Sequence, residues 1–282
     1  MKRALYLVIG MAAPLLLQPH PAAAAHLDPG AQHAFDEYTA ALETRLERQH
    51  NSSETFIAVL NPSPSRRRDT TLEELESETM IIEPVLDHPK PVPGGLIHHW
   101  RGAAYVAGAK SDDMLVLLRD YNGLPRNYSP EIQSSSVLWE RNGEASLAIR
   151  LKRKKVITVV LDGVYRVQTR SVSASSGASS SRSTHIWEVE GAGSASERRM
   201  KEGDDDGFLW RLNSYWSFQE VPGGLLIECE AVSLTRDIPD GLGWLATPIV
   251  EELPRESLEF TLRATRNALM ARAAKENDHD DR

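Results

Sequence analysis

The segment from Gly207 to Arg236 constrains this chain more than any other. Two alternating stretches, FLWRLNSYWSFQEV and LLIECEAVSLTR, flank Val221-Pro222-Gly223-Gly224, which suits a type II turn with Pro222 and Gly223 at its centre. If Val221 opposes Gly224, then Phe218 faces Ile227, Trp216 faces Cys229, Ser214 faces Ala231 and Leu212 faces Ser233. A slip of one residue would set Phe218 beside Glu228 and mix the faces, so the pattern selects this register or one differing by an even step. One face then carries Trp210, Leu212, Ser214, Trp216, Phe218, Cys229, Ala231 and Ser233. The other carries Arg211, Asn213, Tyr215, Ser217, Glu228 and Glu230. Large aromatic groups around small residues leave a hollow on the first face.

A helix expected to start near Pro254, where a missing donor costs nothing, follows the hairpin. Leu258, Thr261, Leu262, Thr265 and Leu269 line one side of it, and early Glu256 and Glu259 with later Arg263, Arg266 and Arg272 complement its dipole. Upstream, Phe35, Tyr38, Leu42 and Leu46 predict an amphipathic helix over 31–48, and Met114, Leu117, Leu118 and Tyr121 a shorter one opened by Ser111-Asp112-Asp113. Asp87 to Gly95 reads as a Pro-rich entry loop, and Leu96 to Gly108 as a strand. From Ile132 the period changes to two, which predicts a meander through Val189. Within it Ser171–Ser183, rich in Ser, Ala and Gly, and then the polar stretch Gly191–Asp206 read as loops.

Met1 to Ala25 shows a Lys2-Arg3 start, an apolar run to Leu17 and a closing Ala22–Ala25, the three parts of a secretory signal peptide cleaved near Ala25. The run is too short to span a bilayer, so a soluble chain secreted or delivered to a periplasm is expected. One cysteine, Cys229, permits no internal disulfide, so the core must hold the fold. A formal net charge of −8 argues against a nucleic-acid partner.

Strand, short helix, antiparallel meander, aromatic hairpin and long C-terminal helix in this order resemble the START-like or SRPBCC superfamily. GGLIHHWRGAAYVAGA, KKVITVVLDGVYRV, GFLWRLNSYWSFQE and the stretch from Glu228 to Leu269 look like uncharacterised exported bacterial members. The resemblance implies an α+β helix-grip fold, a curved antiparallel sheet wrapped around a long C-terminal helix with an N-terminal helical extension. The likeness covers about Gly94 to Ala271, and the chain as a whole reads as a signal peptide at 1–25, a helix and extension at 26–93, a START-like domain at 94–274 and a disordered tail at 275–282. Members include lipid carriers, hormone-binding proteins and polyketide cyclases or aromatases, so the fold does not choose a chemistry.

No catalytic constellation is legible. His98 and His99 are adjacent in a strand and leave on opposite faces, so they do not chelate one ion together, and no H-E-x-x-H, C-x-x-C or G-x-S-x-G occurs. Glu228 and Glu230 share a strand face; they read as an ordinary solvated pair, or as acid–base groups if one is desolvated. Cys229 reads as a small buried hydrophobe, and Lys152–Lys155 as a charged turn with a minor capacity for anionic lipid heads. The leading reading is a non-enzymatic exported binding or carrier protein for an apolar lipid or aromatic metabolite, with no metal and no cofactor. Its ligand would lie between sheet and helix against Trp210, Leu212, Ser214, Trp216, Cys229, Ala231, Ser233, Leu258 and Leu262. It would make no stable membrane insertion, only transient contact. A cyclase, aromatase or dehydratase using the same cavity, and a structural or interaction module, stay open as alternatives.

Overall fold

The computed structural model describes residues 26–61, 67–154, 158–201, 203–237 and 243–280, with side chains described over 252–274 of the last segment. The signal-peptide reading of residues 1–25 lies outside the described residues. Helix α1 (Pro29–Gln49) opens at Asp28, whose carboxylate accepts the Gly30 N–H at 2.6 Å, with Pro29 in the first turn. A buried 3-10 turn at Ala58–Leu60 and helix α2 (Arg68–Glu76) follow. Strands β1 (Ile81–Pro84), β2 (Lys90–Val92) and β3 (Gly95–Ala107) lead into α3 (Ser111–Arg119) and α4 (Leu124–Asn127). The meander is β4 (Ile132–Arg141), β5 (Glu144–Lys154), β6 (Thr158–Ser173) and β7 (Ser176–Glu190). A short β8 (Arg198–Arg199), then β9 (Arg211–Val221), β10 (Gly224–Arg236) and α5 (Gly243–Asp280) complete the chain.

The strands form one antiparallel sheet in the order β1-β3-β10-β9-β7-β6-β5-β4, with β2 on β3 and β8 on β7. Helix α5 packs on β3 and β10, so a curved sheet holds a long C-terminal helix in the helix-grip arrangement. The hairpin has the register that its alternation selects, with Phe218 opposite Ile227, Trp216 opposite Cys229, Ser214 opposite Ala231 and Leu212 opposite Ser233. Gly223 turns it at a φ of 84°, a conformation open to glycine at the third position of a type II turn.

Several expectations are corrected. Helix α5 begins at Gly243, so Pro254 sits inside it, where its ring nitrogen has no N–H to donate. It also runs to Asp280, through most of the residues expected to be a disordered tail. The Ser-rich segment is strand rather than loop: β7 is paired on one side by β6 and on the other by β9, and this pairing overrides the weak propensity of serine. Within the Pro-rich entry loop, Lys90–Val92 pairs with Leu96 and its neighbours as an edge strand, where proline is tolerated. Ser111 is the first residue of α3 rather than its cap, and the Asp113 carboxylate accepts the Lys110 N–H at 2.9 Å.

Both faces of the sheet centre are covered. On the inner face Leu258, Leu262 and Leu269 pack with Met114 and Leu117 of α3 against Ala104, Trp216, Phe218 and Cys229. Burying those three leucines contributes roughly 5–8 kcal/mol before entropy. On the outer face Phe35, Leu42 and Leu46 of α1 cover Ile97, Val232 and Leu234, while Phe56, Ile57 and Leu60 cover Ala103 and Leu226. The N-terminal extension is therefore a third layer, and it adds β1 and β2 to the sheet.

Candidate functional site

The inner face is built from aligned rows of side chains, because residues paired across strands point the same way. One row runs Ile82, Gly102, Cys229, Trp216, Ser179 and Thr169. Here α5 comes closest: a Cβ on Gly102 would meet the Leu262 and Leu258 methyls at 3.3 and 3.4 Å. The hollow anticipated over the small residues of the hairpin is thus filled by leucines at this end. Cys229 is buried in it, and burial, with Glu230 and Glu228 behind it, pushes its thiol pKa up, so it is an inert packing group.

Two further rows follow along the sheet. Trp100, Ala231, Ser214, Ser181 and Val167 form one; His98, Ser233 and Leu212 begin the other, and Ser183, Tyr165 and Leu147 continue it where the Leu212 N–H donates to Ser183 Oγ at 2.9 Å. Leu212, Ser214, Ser181 and Ser183 are only half-buried, as are Val137, Ile149, Leu151 and Val159 on β4, β5 and β6. They surround an apolar floor of Ala145, Leu147, Leu161, Val167 and Ile186. Two hydroxyls there, Ser135 Oγ and Tyr165 Oη, are buried with no hydrogen-bond partner among the described residues. Ser135, Ile149 and Gly163 are consecutive partners across β4, β5 and β6, and the Tyr165 ring lies over Gly163, where a Cβ would meet its Cε2 at 2.6 Å. Burial raises the Tyr165 pKa, so the phenol keeps its proton and stays a donor. An unmet buried hydroxyl costs about 1–3 kcal/mol, and Arg153 Nη2, whose residue pairs with Val159 on this face, is likewise buried without a hydrogen-bond partner among the described residues.

The sequence-selected residues are split by this geometry. Leu212, Ser214, Trp216, Cys229, Ala231, Ser233, Leu258 and Leu262 stand on the α5 side, with Trp216, Cys229, Leu258 and Leu262 in the filled end. Trp210 is a correction: it precedes β9, packs with Ile97, Leu234 and Phe35 on the outer face, and donates its indole N–H to Asp205 at 3.0 Å. Alternation stops governing side-chain direction where the strand ends. Ser135, Ile149 and Tyr165 were missed because they lie in strands whose inner face shows no aromatic cluster.

The outer face holds a second correction. Glu228 and Glu230 are not solvated; each is 1% exposed, beneath α1 and the 3-10 turn. Glu230 accepts from Arg45 at 2.5 Å, from His99 at 2.8 Å and from Arg101 at 3.2 Å. His99 accepts the Tyr38 hydroxyl at Nδ1, 2.8 Å away, which leaves Nε2–H as the donor to Glu230. Burial lowers the His99 pKa against the pull of Glu230, so the ring is neutral. Glu228 accepts the Ala58 and Val59 N–H groups at 3.0 and 2.7 Å and the Gln49 amide at 3.4 Å. Burial and then the Glu230 charge push the Glu228 pKa up to about 7. Burial would raise Glu230 too, but the His99 hydrogen bond and the Arg101 and Arg45 guanidiniums outweigh it and hold its pKa well below the carboxylate range. His98 does point the other way from His99; it pairs with Thr235 at 3.1 Å, and burial lowers its pKa to about 4.

His50 Nε2 lies 2.8 Å from Ser217 Oγ, a Ser–His pair by distance, yet Ser217 is buried beneath the N-terminal layer. A groove of about 210 Å³ does run between α1 and the sheet, lined by Gln32, Phe35, Asp36, Glu43, Arg182 and Arg211 among others. Among the described residues no group of three metal-ligating side chains gathers, and no helix is long and apolar enough to cross a membrane.

No protein-family model and no curated protein matches the chain. Some solved structures are similar to it. A STAR-related lipid transfer protein from Xanthomonas axonopodis is 22% identical over 67% of this chain and 98% of that one, with a TM-score of 0.41. The Zhui aromatase/cyclase from a Streptomyces species is 15% identical over 64% and 94%, at 0.42. Human STARD10 is 9% identical over 78% and 87%, at 0.45.

Proposed function

We propose that this chain is an exported binding or carrier protein that holds a small, largely apolar molecule on the inner face of β4, β5, β6 and β9, beside α5. The observation that carries this reading is the pair of buried, unpartnered hydroxyls of Ser135 and Tyr165 set among half-buried aliphatic side chains. Apolar surface there supplies affinity, and the two hydroxyls orient a ligand with a hydrogen-bonding group. The site thus lies further along the sheet than the hairpin alone suggested.

The test is titration of the full mature chain with a dansylated fatty acid, followed by displacement with unlabelled lipids and polycyclic aromatics. Saturable binding is expected, and Ile149→Trp, which fills the proposed site, should weaken it by about tenfold or more. Absence of saturable binding, or equal binding by the folded Ile149→Trp variant, would sink the proposal.

A further inference from the structure

Helix α1 covers β3 and β10 and reaches as far as Arg182 of β7, which pairs with its Glu43. Beyond that margin the outer face of the sheet is open: along β6 Arg166, Gln168 and Arg170 are exposed, alternating with buried Val167 and Thr169. The paired strands β4 to β7 turn Arg141, Arg150, Lys152, Arg166, Arg170 and Arg182 to this side, against Glu144 and Asp162. Most acids nearby are already engaged, Asp162 by Arg150 and Arg199, Glu197 by Arg150, and Glu43 by Arg182 and the Tyr215 hydroxyl. Among the described residues Arg141, Lys152, Arg166 and Arg170 have no ion-pair partner; neither has Glu144, which faces Arg141 at the β4–β5 turn. Arg166 also stands directly opposite Arg182, and like charges so placed repel unless an anion lies over them. The same row runs through Ser146 to Trp139 of β4, where the Arg141 guanidinium lies 5.4 Å from the ring centroid. Leu138, beside it at a bulge in β4, is 54% exposed.

We propose that this face docks the chain on an anionic phospholipid bilayer, with Arg166, Arg170 and Arg182 on lipid phosphates and Trp139 and Leu138 at headgroup level. Charge complementarity carries the choice. The chain as a whole has a formal net charge of −8, yet this side of it is basic, so an anionic surface attracts this face and repels the acidic helix α2 with Asp69, Glu73 and Glu74. Each basic group held near such a surface adds attraction that salt screens, and tryptophan favours the boundary between headgroups and acyl chains. Separated guanidiniums on flexible stems suit lipids better than a folded acidic partner, because lipids move sideways until each cation has a phosphate. The face lies across the sheet from the ligand site on β4–β6, and its arginines take no part in that site.

Cosedimentation of the full chain with vesicles tests this, using phosphatidylcholine alone and an equimolar mixture of phosphatidylcholine and phosphatidylglycerol. Affinity for the mixed vesicles should exceed that for the neutral ones by about tenfold or more at low salt and should lose that excess in about 0.5 M NaCl. Arg166→Gln with Arg170→Gln should weaken binding about tenfold, whereas Arg48→Gln with Arg263→Gln, which takes the same charge from exposed positions on α1 and α5, should change it less than about twofold. Ile149→Trp, which fills the ligand site from the other face, should dock as the unaltered chain does. Equal pelleting with both kinds of vesicle, equal loss in the two double variants, or loss of docking in Ile149→Trp would overturn the proposal. So would a chain that ignores the vesicles but binds polyglutamate, or its own second copy, through the same arginines, since the occupant would then be an acidic protein surface.

Discussion

Glu230→Leu should lower the unfolding free energy by roughly 3–5 kcal/mol at neutral pH, the cost of removing one partner from a buried charge cluster. The substitution strands Arg45 and Arg101 and takes away the acceptor that His99 requires. Arg45 is about a third exposed and will find water, so Arg101, at 16% exposure, bears most of the loss. Urea unfolding measures it, and a second variant that also replaces Arg101 by Met should recover a substantial part. The deficit should shrink as pH falls below the ordinary carboxylate range, because the unaltered chain there loses the contribution of ionised Glu230. A deficit under about 1 kcal/mol would mean that α1 and β10 are not tied as described.

Leu262→Ala should cost about 2–5 kcal/mol, since Leu262 is fully buried between α5 and the sheet and the rigid backbone at Gly102 beneath it cannot close the gap. Met270→Ala, on the same helix but 44% exposed, should change stability by less than about 0.5 kcal/mol. Thermal or urea unfolding of both variants separates a helix gripped by the sheet from one merely resting on it. Equal effects would contradict the grip.

The hairpin register was legible because period-two alternation and the Pro222-Gly223 turn agree, and local rules suffice when both partners are adjacent in sequence. Leu258, Leu262 and Leu269 were legible for the same reason, as a single helical stripe. Glu228 and Glu230 were misread because a polar strand face looks solvated until something covers it, and the cover comes from a helix some 180 residues earlier in the chain. A signal did exist in α1: Thr39 and Gln49 fall among its apolar positions and are buried, which a helix over a purely apolar face would not favour. The Ser-rich first part of β7 was illegible because serine carries no hydrophobic period, and only the neighbours β6 and β9 impose its conformation. Ser135 and Tyr165 were missed because what sets them apart is a lack of partners, a property of packing rather than of pattern.

The claim that the inner face of β4–β6 and β9 holds an apolar ligand is tested most directly by photo-crosslinking. A diazirine fatty acid is bound to the full chain, irradiated, and its adducts are mapped by peptide mass spectrometry. Adducts at Ile149, Leu151, Tyr165 or Leu212, suppressed by excess unlabelled lipid, are the expected result. Adducts confined to the α1 groove at Phe35 and Arg182, or scattered without competition, would contradict it.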